Sequence, residues 1–128
     1  MSIIDTVNIN NQIQNKKENK IMMEIRTANF TAKDMFNAAT AMPLKSAVGS
    51  IIKVVGIWVT ERPDLNGEVQ VVANLKADDG TIYGTISDTV IRSVVALPEM
   101  LEESGEIAIK PEFRQGTKGR EYLVISLA

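Results

Sequence analysis

The stretch EVQVVANLKADDGTIYGTIS, residues 68–87, decides the fold. Its apolar residues recur with a period of two, the pattern of strands that bury one face. Val69, Val71, Ala73 and Leu75 fall on one side of the first strand, and Glu68, Gln70, Val72, Asn74 and Lys76 on the other. Asp78-Asp79-Gly80 then turns the chain back, because an Asp-Gly pair accepts the backbone angles of a tight hairpin. On the returning strand Ile82, Gly84 and Ile86 are expected inward, with Thr81, Tyr83, Thr85 and Ser87 outward.

The segment before this hairpin, 51–61, is nearly all apolar. A register that buries the β-branched Ile51, Val55, Ile57 and Val59 leaves Trp58, Thr60 and Arg62 outside. Gly56 inside that strand predicts a bulge or sharp bend. Arg62, Pro63, Asp64 and Asn66-Gly67 then read as a loop. After the hairpin, residues 88–104 take a helical period. Asp88 is the expected N-cap, and Val90, Val94, Leu97 and Leu101 share one face with Ile91 and Val95 beside them. Pro98 predicts a kink or restart, and Gly105 a stop. Two more β-like segments, 106–114 and 120–127, are joined by Gln115-Gly116-Thr117-Lys118-Gly119. Strand, strand, strand, helix, strand, strand is the element order of an OB-fold, a small barrel often used to bind oligonucleotides. The expected fold is therefore mainly β, an OB-fold five-stranded barrel (β-β-β-α-β-β).

An extra N-terminal helix precedes it. Thr31 and Asp34 have the spacing of a capping pair, with Phe30 and Met35 placed as a hydrophobic staple. Residues 32–41 are the expected helix, ended by Pro43, since the residue before a proline leaves the helical region. The chain of 128 residues suits one core, here 23–128 as a single OB-like domain. Residues 1–22 are expected to be a disordered tail. Asn8, Asn10, Asn11, Asn15 and Asn19 recur there among isolated apolar residues, too little to offset the entropy of ordering. Lys16, Lys17 and Lys20 leave open an arm that touches nucleic acid or a partner, and Met22 or Met23 offers a second translation start.

Composition removes whole classes of chemistry. The chain has no Cys and no His, so thiolate metal sites, cysteine nucleophiles, disulfides and imidazole bases are all absent. No glycine-rich phosphate loop, dinucleotide fingerprint or metal-ligand cluster is present. Asp78 and Asp79 are adjacent acids but read as turn residues. The expectation is a protein that is not an enzyme and carries no cofactor and no metal. No apolar run is long enough to span a bilayer, so no membrane contact is expected and the location is read as cytoplasmic. A net charge of −2 argues against binding nucleic acid through bulk positive charge, though not against a local basic groove.

Such a groove is suggested by aromatic and basic residues interleaved on the strands and their loops. Trp58, Tyr83 and Tyr122 lie among Lys53, Arg62, Lys76, Lys110, Arg114, Lys118 and Arg120. Single-stranded nucleic acid needs both kinds of group, aromatic faces on which bases stack and cations that follow the backbone. Phe113 shares an alternation with Ile107 and Ile109 and is expected in the core. Arg114, Lys118 and Arg120, gathered around Gly116 and Gly119, form the strongest basic group.

The runs Ser50-Ile-Ile-Lys-Val-Val-Gly-Ile-Trp-Val, Leu75-Lys-Ala-Asp-Asp-Gly-Thr-Ile-Tyr-Gly and Thr117-Lys-Gly-Arg-Glu-Tyr-Leu-Val resemble small phage-encoded single-stranded DNA-binding proteins with an OB-fold. The resemblance covers roughly residues 48–128 and implies cooperative coating of single-stranded DNA without sequence specificity during phage DNA replication, in the host cytoplasm. It implies single-stranded DNA as the partner, and a homo-oligomer or a cooperative filament on DNA. The chain ends Val124-Ile-Ser-Leu-Ala, a strand, without the linker and acidic tip of bacterial single-stranded DNA-binding proteins. Recruitment of host repair proteins through such a tip is therefore not expected, and a homotetramer is not implied. Two other readings remain open at this point. One is a small-barrel protein–protein module, a phage assembly or host-modulating factor, which the acidic charge and the apolar first strand favour. The other is a small enzyme or ligand-binding barrel.

Overall fold

A computed structural model describes residues 24–128; the tail expected over 1–22 lies outside the described residues. The chain runs through β1 (Ile25–Arg26), α1 (Ala32–Asn37), β2 (Met42–Pro43), β3 (Ile52–Pro63), β4 (Val69–Ala77), β5 (Ile82–Thr85), α2 (Asp88–Val94), α3 (Leu97–Ser104), β6 (Ile107–Gln115) and β7 (Glu121–Leu127). The strands form one sheet in the order β2-β5-β4-β3-β6-β7, with β1 paired to β3 beyond the end of β6. β2 runs parallel to β5; the other pairings are antiparallel. The sheet is strongly curled into a half-barrel. α2 packs against β7 and β4, and α3 against β6 and β3, so both helices fill the concave side.

The turn chemistry legible in the sequence forms as expected. Gly80 takes a φ of +92°, its N–H donates to the Ala77 carbonyl, and Asp79 Oδ1 accepts from the Thr81 N–H at 2.9 Å. That hydrogen bond holds the Asp79 carboxyl below its usual range. Thr31 and Asp34 make the full capping box: Thr31 Oγ1 accepts from the Asp34 N–H, and Asp34 Oδ2 accepts from the Thr31 N–H. α3 restarts at Pro98 after α2 ends, and Gly105 closes it in the left-handed region. The α2 N-cap is Ser87 rather than Asp88, because the Ser87 hydroxyl is the group that accepts from the Val90 N–H. The expected helix over 32–41 is shorter. It stops at Asn37, passes into a 3-10 turn at Ala38–Thr40, and gives way to β2.

The main core joins Leu44, Ile52, Val54, Ile57, Val59, Ala73 and Leu75 to Val90, Val94, Leu97 and Leu101 of the helices and Ile107, Ile109 and Leu123 of the last hairpin. Each Val, Leu or Ile among them, fully buried, contributes about 1.5–3 kcal/mol. The expected register of β3 is wrong before Gly56 and right after it. Val54 pairs with Ala77 and Gly56 with Lys76, so Val55 is an extra residue and the side-chain phase inverts there. Ile52 and Val54 are buried, Ile51 is 61% exposed, and Val55 is half-buried. Thr60, expected outside, is buried.

β5 also presents the opposite faces from those expected. Tyr83 lies opposite Leu75 and packs on the main core, whereas Ile82 and Gly84 lie opposite Lys76 and Asn74 on the convex side. Residues directly across an antiparallel pair share a face, so Leu75 inward obliges Tyr83 inward. Ile86 and Val69, expected inside, are exposed near strand ends. The convex side of β3–β5 is no solvent face either. Phe30 and Ala38 bury Ile82 there in a second cluster, with Met35, Ala41 and Trp58 packed around it. Val72 and Asn74, expected outside, are buried.

Candidate nucleic-acid interface

The residues expected to interleave on the strands do not share one face: three are engaged within the fold, six gather at the last hairpin, and Arg62 stands apart. Trp58, Lys76 and Tyr83 are taken up by packing. The Trp58 ring lies 5.7 Å from Phe30, tilted by 41°, and its Nε1–H donates to Glu24 at 2.8 Å. Lys76 Nζ donates to Asp34 Oδ2 at 2.9 Å and to the Asn29 carbonyl at 3.1 Å, pinning the segment before α1 onto β4. Burial pushes the Asp34 carboxyl up, but the hydrogen bonds from Lys76 and Thr31, with the Lys76 charge, outweigh it and hold the group below its ordinary range. Tyr83 is turned inward by the register of β5. Each of these groups is thus engaged within the fold, and a stacking or phosphate-binding role would compete with those contacts.

The second group stays together on the last hairpin. In the β6–β7 ladder Lys110 faces Ser126, Glu112 faces Val124 and Arg114 faces Tyr122. These residues therefore share the convex face, while Ile109, Pro111 and Leu123 point to the helices. Lys53 of β3 lies directly opposite Ala108 and extends the same face by one strand. Among the described residues no helix covers this side: Lys53 and Arg114 are exposed, and Tyr122 is 40% exposed. The turn at Thr117–Gly119 carries Lys118 at a φ of +68°, with Arg120 exposed beside it. Arg62 is exposed at the far end of β3, away from this hairpin's pairing.

Two features of this face were not anticipated. Glu112 stands between Lys110 and Arg114, with oxygens 3.8 Å and 3.7 Å from their nitrogens. Strand alternation alone places residues 110, 112 and 114 on one side, so this was open to reading. Tyr122 also lies over Gly116: a side chain begun there would sit 3.3 Å from Tyr122 Cε1. The ring thus rests against Gly116 at the hairpin's end, with 40% of the residue exposed. Phe113, expected in the core, lies across from the buried Leu123 but is itself 45% exposed.

Among the described residues no cluster of acidic side chains suited to a metal ion occurs, and no helix is long and apolar enough to cross a membrane. No protein-family model, curated protein or solved structure matches the chain.

Proposed function

We propose that this chain is an OB-like barrel protein that binds single-stranded DNA without sequence specificity, through the convex face of β6–β7. The long strands support the fold assignment. Their order, β5-β4-β3-β6-β7, is that of a five-stranded barrel with the helices inserted between its third and fourth strands, left open between β5 and β7. The observation that carries the function is the pairing of Tyr122 with Arg114 on an uncovered face. An aromatic ring stands beside a cation, with Lys110, Lys53, Lys118 and Arg120 around it. Bases stack on the ring while the cations follow the phosphates. The overall negative charge limits this to a local groove, so binding is modest in strength and steep in salt. No catalytic step, cofactor or metal belongs to this reading. The setting we propose, phage DNA replication in the host cytoplasm, rests on the resemblance alone. Titration with oligo-dT at two salt concentrations tests the reading.

A second reading, a protein–protein module, is favoured by one observation. Among the described residues β7 ends the sheet with β6 as its one partner, so its outer edge offers backbone groups onto which an extended segment of another chain adds as a strand.

A further inference from the structure

The convex side of β4 and β5 holds a cleft of about 360 Å³ between the 3-10 turn at Ala38–Thr40 and β5. Lys45 and Arg62, both exposed, stand on its rim. Beneath its floor is Asn74, only 1% exposed, on the central run of β4. Its Nδ2 donates to the Trp58 carbonyl at 3.2 Å, but its Oδ1 is buried with no hydrogen-bond partner among the described residues. A buried acceptor left unpaired is costly, so its retention here calls for a function.

Gly84 is what brings the cleft close to that oxygen. A side chain begun at Gly84 would lie 3.4 Å from Asn74 Oδ1 and 3.4 Å from the Ala41 methyl. With glycine there, no side chain from β5 fills the space beside the oxygen. The oxygen is shut off from solvent, so a ligand group reaches it only if the alanine-rich turn shifts from β5. The turn is held there by Ala38 and Ala41, and the β2 strand that follows it stays paired to Tyr83 and Gly84, so the movement needed is confined to residues 38–41.

We infer that this cleft is a nucleotide subsite. A planar base enters between the turn and β5, an N–H of the base donates to Asn74 Oδ1, and the phosphate lies at Arg62 and Lys45. The N–H satisfies the orphan acceptor, the flat ring suits a narrow slot between a strand and a turn, and the two cations suit the anionic end. The nucleotide comes either free or as one unit of a bound strand; the second source rests on the single-stranded DNA reading above, and the first does not.

The test is amide NMR on the full ¹⁵N-labelled chain, titrated separately with dCMP and with a short oligo-dC. The inference expects dCMP to shift the resonances of the Ala38–Ala41 turn, Gly84 and the Asn74 side-chain amide. Gly84→Ala, whose backbone angles accept a side chain, places a methyl over Asn74 Oδ1 and weakens dCMP at least about tenfold, the usual cost of one lost buried hydrogen bond. Arg62→Ala with Lys45→Ala, both exposed and harmless to folding, weakens dCMP more than cytidine. If oligo-dC shifts the β6–β7 face while neither ligand touches the cleft, the subsite is wrong and the DNA reading stands. If dCMP binds in the cleft but oligo-dC binds nowhere, the subsite stands for a free nucleotide and the DNA reading falls. If Gly84→Ala folds and binds dCMP as tightly as the native chain, the role of Asn74 is overturned.

Discussion

Trp58 and Phe30 pack ring against ring at 5.7 Å, and this contact converts the chain's single tryptophan from a surface group into a clamp on the segment before α1. Phe30 is fully buried between Trp58, Ala38 and Ile82, and the Trp58 Nε1–H donates to Glu24. The indole therefore reports on the packing of α1 rather than on a bound base.

Phe30→Ala is accordingly expected to cost about 3–5 kcal/mol in urea unfolding and to shift Trp58 emission to the red while the chain stays folded. Oligo-dT at saturation is expected to leave native Trp58 emission nearly unchanged. Strong quenching by oligo-dT would show that the indole is free to stack and that the clamp is misread.

The inversion of phase at Val55 separates two neighbours of identical chemistry. Ile52→Ala removes a side chain buried among β3, β6 and the helices and is expected to cost about 2–4 kcal/mol. Ile51→Ala removes an exposed one and is expected to cost less than about 0.5 kcal/mol. Equal losses in chemical denaturation would mean that the strand holds the uninterrupted alternation that its sequence suggested.

That pair also marks how far the sequence could be read. Features governed by contacts within a few residues were legible: the Asp79-Gly80 turn, the Thr31–Asp34 box, the Pro98 restart, the Gly105 stop and the order of the long strands. Gly56 announced a bulge, but which side chains invert depends on how β4 and β6 pair with either half of β3, and those partners lie tens of residues away. Tyr83 was misassigned for a related reason. Apolar residues occupy both faces of β5, and only its pairing with Leu75 tells which face meets the helices. Val72 and Ile82 on the nominally outer faces were the available hint that a second layer covers β3–β5. At the site, Lys110, Arg114, Lys118, Arg120 and Tyr122 were legible because alternation along one hairpin keeps them together. Lys76 was not, because its partner Asp34 comes from a helix 42 residues earlier.

The Lys76–Asp34 pair makes part of the stability depend on pH. The Asp34 pKa in the folded chain lies below its ordinary value of 3.8, so the folded state holds its proton less tightly than the unfolded one. The resulting stabilisation is complete above that ordinary value and is lost as pH falls through the folded value. Lys76→Met is expected to flatten the acid limb of a urea-midpoint profile, with little change in its shape near neutrality. An unchanged acid limb would show that the pair does not carry the shift.

On the β6–β7 face, Tyr122→Ala is expected to weaken oligo-dT by about 1–3 kcal/mol, one stacked base, without altering the salt dependence. Glu112→Gln is expected to do the reverse, tightening binding at low salt by freeing Lys110 and Arg114 from an internal competitor. Both are read by fluorescence anisotropy of a labelled oligonucleotide. Tighter binding by Tyr122→Ala, or weaker binding by Glu112→Gln, would place the strand elsewhere.

The central claim meets its most direct test in the affinity for oligo-dT at about 50 mM and about 200 mM salt, with the native chain and with Arg114, Lys118 and Arg120 changed together to Ala. Three phosphate contacts on a single strand contribute about 2 to the slope of log affinity against log salt, at ~0.7 each. The expected result is measurable binding at the lower salt, a marked loss at the higher, and a slope about 2 units shallower in the triple variant. No binding at the lower salt, or a native and a triple-variant chain with the same affinity and slope, would contradict it.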